Sequence, residues 1–394
     1  METLLIKNKN TKNLTANQHK PKPRTITAIL NSKFVAFVWF VVILLFFPKL
    51  QSFAQTDHLA AFSDPTRIWG NGIESVIEGA YRQFFITRII GDRVMNIRMP
   101  FAMNNERDFM VKENWEIFMD GKGSPDKIWE AIEEILDSKE FDEYINALSS
   151  GREKVIIFEM NERKWSLQTD LFVIARIKSG AFKGLPHRPY VLTSGNGALE
   201  SDVYNYLLCV GYIGLDCSGF VWHILDYIGN KGGINLGRVL SPTLGVPRGS
   251  EPARFVGTAF FGSRSPQLIQ VNDEIRNLRP ADVLLFRDID GTIVHSAIIQ
   301  SIDFTKGVIR YLQCTNVAPV FERGAHESFI HFDPLNTAVS LKDPSLHWTQ
   351  RRAPPFVGED IPFTGDGEIF RYKLNGGKVV RLKALEPVIE RLNR

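Results

Sequence analysis

The chain has 394 residues, 44% hydrophobic and 23% charged, an ordinary globular composition with room for one to three domains. Its formal net charge of +3 comes from the N-terminus: residues 1–54 hold eight Lys/Arg against one acidic residue, which leaves the rest with 39 basic and 43 acidic side chains. A mildly acidic body offers no electrostatic grip on nucleic acid, and no ligand cluster in the sequence asks for a metal or another cofactor.

Taken in chain order, the first element is a targeting segment. Lys7, Lys9, Lys12, Lys20, Lys22, Arg24 and Lys33 precede the apolar run 34–47, and Ser52-Phe53-Ala54 places small residues just beyond Pro48 and Lys49. A basic region, a 14-residue apolar run and a small-residue site read as a signal peptide cut near Gln55. The run is shorter than the roughly 20 residues a spanning helix needs. An uncleaved N-terminal anchor is the alternative, and membrane contact is expected through this segment alone. In both cases the body is exported, to the periplasm, the cell envelope or the medium. Cys209, Cys217 and Cys314 are an odd number, so one thiol stays free unless the chain pairs with another.

Residues 55–183 read as a mixed α/β N-terminal domain of unknown role. The spacing predicts a helix over 124–138, a strand over 152–160 and a buried apolar stretch over 165–177. A Gly/Pro/Ser-rich loop, 184–197, marks a boundary, and 198–214 has a helical pattern. Residues 230–270 read as irregular. Three strands follow, over 281–288, 292–302 and 307–315, the last two joined as a hairpin by the turn 303–307. The tail, 333–394, shows a strand-like EIFRYKL at 368–374 and a closing helix over 384–394.

The chemistry centres on Cys217. Apolar residues at Phe220, Val221, Ile224, Leu225 and Ile228 mark one helix face, with Asp216 as N-cap and Gly229 as a stop. This puts Cys217 in the first turn, where the helix dipole favours a thiolate. Such a place also suits a small buried residue. A nucleophile needs a histidine on a rigid element. His295, inside an apolar strand, meets that need, whereas His326, His331 and His347 read as loop or strand-edge residues with solvated rings. Pairing Ile302 with Val308 across the turn sets His295 opposite Thr315 and makes Gln313 its diagonal neighbour on the same face. Gln313 can then accept from the imidazole N–H and aim the other nitrogen outward. Cys314 and Leu312 face away, into packing. A slip of one residue would exchange Gln313 for Cys314.

These residues resemble a known family. Asp216-Cys217-Ser218-Gly219-Phe220-Val221, then RPADVLLFRD, VHSAIIQSI and RYLQCT, look like the blocks of the NlpC-type (new lipoprotein C) bacterial cell-wall cysteine peptidases. HRPYVLTSGNG and VPRGS are similar to two further stretches of that family. The resemblance covers about 185–320 and implies Cys217 as nucleophile, His295 as base and Gln313 as third member. It also implies Tyr190 as the tyrosine beside the nucleophile, with Tyr190, Asp216 and Ser218 at the substrate or oxyanion subsite. The implied substrate is a peptidoglycan stem peptide. Three departures stand out. Ala281 replaces a glycine, Ser296-Ala297 replaces Val-Gly, and 26 residues separate Tyr190 from Cys217, about twice the family's spacing.

The expected fold is α+β, a papain-like cysteine peptidase domain with its N-terminal helix packed on an antiparallel sheet (184–332), extended by 333–394 and preceded by the mixed α/β domain. Its expected activity is cleavage of peptide amide bonds by a Cys-His-Gln mechanism. A wall-binding module on a peptidase scaffold and a thiol acyltransferase are the alternatives.

Overall fold

The computed structural model describes residues 72–101, 125–149, 154–159, 164–168, 190–193, 200–211, 213–248, 250, 252–288, 290–315, 324–351, 360–362, 364–371 and 376–394. Residues 1–54, read above as a signal peptide or anchor, and the VPRGS residue Gly249 lie outside them. Among the described residues no helix is long and apolar enough to cross a membrane.

The architecture is mixed α+β. In chain order the elements are α1 (Ile73–Arg82), β1 (Phe85–Ile90), β2 (Arg93–Arg98), α2 (Pro125–Leu136), α3 (Lys139–Ser149), β3 (Lys154–Glu159), β4 (Lys164–Gln168), β5 (Tyr190–Thr193) and α4 (Glu200–Tyr206). Next come α5 (Cys217–Lys231), α6 (Leu236–Leu244), α7 (Thr258–Phe261), β6 (Leu268–Val271), β7 (Val283–Arg287), β8 (Ile293–Asp303), β9 (Val308–Thr315) and β10 (Gly324–His331). β11 (His347–Arg351), β12 (Asp360–Pro362), α8 (Thr364–Phe370), β13 (Lys378–Leu382) and α9 (Glu386–Leu392) complete the chain. An antiparallel sheet of eight strands, ordered β12-β11-β10-β9-β8-β7-β13-β6, is the frame. β1-β2 and β4-β3-β5 are separate small sheets.

Alternation along the central strands gives each face of the large sheet its own core. On one face Val283, Leu285, Ile298, Leu312 and Cys314 meet Phe220, Val221 and Ile224 of α5 and Ile73 and Ile77 of α1. On the other, Leu284, Phe286, Ile299 and Tyr311 meet Trp348 and Phe370. The five stripe residues of α5 are fully buried, each contributing at most about 1.5–3 kcal/mol. α5 does not stop at Gly229 but runs to Lys231 and is capped by Gly232. The glycine serves close approach instead: a Cβ at 229 would lie 2.9 Å from the Ile234 carbonyl oxygen.

Residues 55–183 and 184–332 share a core. Ile132, Tyr144 and Phe158 belong to the same apolar cluster as Phe220 and Leu285. The tail supplies three of the eight strands, and β13 sits inside the sheet between β7 and β6. Within 230–270, read as irregular, Asn235 caps α6 through its side chain, which accepts from Arg238 N. The first three residues of EIFRYKL end α8 rather than form a strand, because Phe370 is buried against Phe286 and Trp348; residues 372–374 lie outside the described residues. The stretch 165–177 is described only to Gln168, and there Leu167 is exposed on β4.

The hairpin carries a register shift. Near the turn Asp303 pairs with Val308 and Ile302 with Ile309, one residue away from the expected pairing. Asp303 closes the turn by accepting from Thr305 N and Lys306 N, which draws it into the ladder. A bulge at Gln300 then restores the expected register, with Ile299 opposite Tyr311 and Ile298 opposite Leu312. Gln300 itself reaches α1, donating to the Glu74 carbonyl at 3.0 Å.

α1 is also tied to the sheet by buried charge. Arg310 donates to Glu327 at 2.5 Å and to Glu78 of α1 at 2.7 Å, and lies over the Tyr81 ring at 5.5 Å. Burial opposes the Arg310 charge, yet the two carboxylates hold its pKa above the ordinary value. Glu78→Ala leaves this guanidinium with one carboxylate fewer, and urea denaturation should report a loss of about 1–3 kcal/mol. An unchanged midpoint would show that Glu327 alone satisfies Arg310.

Candidate active site

The site begins at the start of α5. Asp216 adopts extended backbone, and its Oδ1 accepts from Gly219 N at 2.5 Å and from Ser218 Oγ at 3.0 Å. Phe220 N donates to the Asp216 carbonyl. These caps leave the Cys217 and Ser218 N–H groups as the donors at the helix mouth. Asp216 and Ser218 were expected to line a cleft; both are buried, and their side chains bond to each other and to the helix start. Cys217 is 8% exposed.

The residues before Cys217 are pinned from two sides. Leu215 N donates to the Pro100 carbonyl at 2.8 Å. The Leu215 carbonyl accepts from Cys314 Sγ at 3.2 Å. Cys314 faces the α5 side of the sheet, as its strand position predicts, and burial followed by the nearby Cys217 and Asp216 pushes its thiol pKa well up. Cys209 is likewise buried. Pro100 belongs to the segment after β2, whose Met99 carbonyl also takes the Ala325 N–H of β10 at 2.9 Å. The N-terminal part of the chain therefore holds the loop that presents Cys217.

His295 comes from β8. It is half-buried, packed on Phe286 with ring centroids 5.2 Å apart, and within electrostatic reach of Cys217. Its Nε2 lies 2.7 Å from Gln313 Oε1. Because that oxygen can only accept, Nε2 carries the proton, and Nδ1 is the nitrogen left for the sulfur. Burial disfavours a charged ring, but the hydrogen bond and charge of Cys217, then Asp366 and Gln313, outweigh it and raise the His295 pKa above its ordinary value. His295 and Gln313 are thus paired, and Cys217 is among the groups that act on the ring.

Gln313 is fully buried, and its amide nitrogen makes two bonds, to Ser328 Oγ at 2.8 Å and to Asp366 Oδ2 at 2.9 Å. Asp366, on α8, also accepts from Tyr311 O–H at 2.7 Å. Sequence reasoning missed this carboxylate. It lies 53 positions from Gln313 in a stretch without a local motif, so no spacing rule could reach it.

The remaining expected positions fall differently. Tyr190 opens β5 with its backbone opposite Ile157, and its side chain lies outside the described residues. His326 is not a solvated edge residue: it is buried in β10 opposite Gln313, with Nδ1–H donating to the Gly324 carbonyl at 2.9 Å. Burial and the neighbouring Arg98 charge lower its pKa to about 3. Ala281, where the resembled family has glycine, takes a left-handed φ of 73°, the conformation that glycine adopts without steric cost. Among the described residues no group of three or more His, Cys, Asp or Glu side chains could hold a metal ion. Compared with known proteins, the chain matches no protein-family model, no curated protein and no solved structure.

Proposed function

We propose that this protein is an exported cysteine peptidase or amidase of papain-like architecture that cleaves amide bonds in peptidoglycan stem peptides. One observation carries the reading: Cys217 at a helix mouth is near enough to His295 to raise its pKa, and Nε2 of that ring is held by Gln313. The substrate class rests on the sequence resemblance to the NlpC-type peptidases and on the leader-like N-terminus.

In this reading Cys217 Sγ attacks the amide carbonyl carbon and His295 Nδ1 takes the thiol proton. The resulting oxyanion is received by the Cys217 and Ser218 N–H groups, where the helix dipole favours negative charge. The C–N bond breaks, its electron pair leaves with nitrogen, and His295 returns the proton to that amine. A thioester remains on Cys217. Water adds to it while His295 takes one of its protons, the C–S bond breaks, and the sulfur recovers a proton. The sum is amide plus water giving carboxylic acid plus amine.

Digestion of purified stem peptides, followed by mass spectrometry, tests this. The expected products are an acid and an amine whose masses sum to the substrate plus one water, and they should be missing with Cys217→Ala. Transfer of the acyl group to an added amine or alcohol would mark an acyltransferase. Peptide binding without any cleavage, together with a Cys217 inert to iodoacetamide, would sink the enzymatic reading.

A further inference from the structure

We propose that Asp366 is a positioning residue that sets the tautomer of His295 through Gln313. This rests on the reading of Cys217 and His295 as a reacting pair.

A glutamine amide has two orientations of nearly identical shape, and only its partners decide between them. Gln313 faces an imidazole nitrogen on one side and, on the other, Ser328 Oγ and Asp366 Oδ2. A hydroxyl either donates or accepts, so Ser328 would suit both orientations. An ionised carboxylate only accepts, so it admits just one. Tyr311 O–H already donates to the same Oδ2 at 2.7 Å, and both neighbours are buried. Asp366 therefore forces the Gln313 amino group inward and its carbonyl oxygen toward His295. That oxygen requires a proton on Nε2, and the lone pair of Nδ1 is presented to Cys217.

With the amide reversed, the amino group would face Nε2. The ring proton would move to Nδ1, pointing at the sulfur, where it cannot accept the thiol proton. The sequence of dependence runs from α8 to β9 to β8 to α5, so a residue that touches neither sulfur nor imidazole decides whether the base can act.

The test reads iodoacetamide alkylation of Cys217 against pH, by mass spectrometry of the Cys217 peptide in intact protein, so it needs no substrate. Asp366→Asn keeps the shape but can offer N–H to Gln313 and allow the reversed amide. The expected result is alkylation near neutral pH slowed by about 10²–10⁴-fold. Its pH profile should come to coincide with that of His295→Ala. A profile identical to that of the unaltered protein overturns the proposal. If the profile of His295→Ala also coincides with the unaltered one, the reacting pair itself fails, and the proposal with it. Should Asp366→Asn not fold, ¹⁵N NMR of the histidine rings in the unaltered protein decides. A neutral His295 protonated at Nε2 supports the proposal, and one protonated at Nδ1 overturns it.

Discussion

Replacing His295 by Ala is expected to slow amide hydrolysis by about 10⁴-fold, with the protein still folded. The ring is half-buried rather than part of either central core, so its loss opens a space near the start of β8. In the proposed mechanism the kinetic loss is large because one group does two jobs, taking the thiol proton and delivering it to the leaving amine. With the base gone, Gln313 and Asp366 have no ring left to orient. Adding Gln313→Ala to the His295→Ala chain should therefore cost little more, since members of one catalytic unit are not additive. Initial rates of peptide cleavage for the single and double variants check this. Two full, multiplying losses would mean that Gln313 acts separately from His295.

The second large effect concerns acid. His326 is buried and neutral, with a folded pKa lowered to about 3 against an ordinary value near 6.5. A depressed histidine stabilises the fold fully above the unfolded value. Below about pH 6.5 the unfolded chain gains a proton that the folded chain refuses, and stability falls by about 1.4 kcal/mol per pH unit. Down to pH 3 the loss from this one ring is on the order of 4–5 kcal/mol. Arg98 and His295 are the cationic neighbours that reinforce it. His295 itself has the opposite sign: its pKa is raised, so its contribution is complete below about 6.5 and is lost as pH rises through the folded value. Urea denaturation at pH 7, 5 and 4 should show a steep acid slope in the unaltered chain. In His326→Asn the slope should be shallower by about one proton. Equal slopes in the two chains would assign the acid sensitivity elsewhere.

Local rules placed Cys217 in the first turn of α5 because the signals for that helix are local. An N-cap, an apolar stripe and a cysteine in the first turn lie within fifteen residues of each other. The His295–Gln313 relation also came out right, but through two differences that cancel. Asp303 shortens the turn by joining the ladder, and the Gln300 bulge takes the residue back. The first is turn chemistry that Asp303 could have announced. The second depends on α1, more than 200 positions away, and no hairpin rule contains it. α6 was hidden by Pro242 within its own span. α8 was hidden by the β-propensity of Ile369 and Phe370, which serve the second core from a helix instead. Asp366 was lost with that helix. His326 was misjudged because β10 mixes small, charged and apolar residues, GAHESFIH, so its burial between neighbouring strands leaves no clean alternation to read.

The pinning of Leu215 by Pro100 has a consequence for where the working unit begins. The family resemblance starts near residue 185, yet the loop that aims Cys217 is anchored on Pro100, and Met99 holds the end of β10. A fragment cut to the resembling stretch would keep every reacting side chain and lose the brace behind one of them. If the proposed activity holds, the minimal competent piece has to include the 73–101 segment, and substitutions there should alter turnover without touching Cys217, His295 or Gln313.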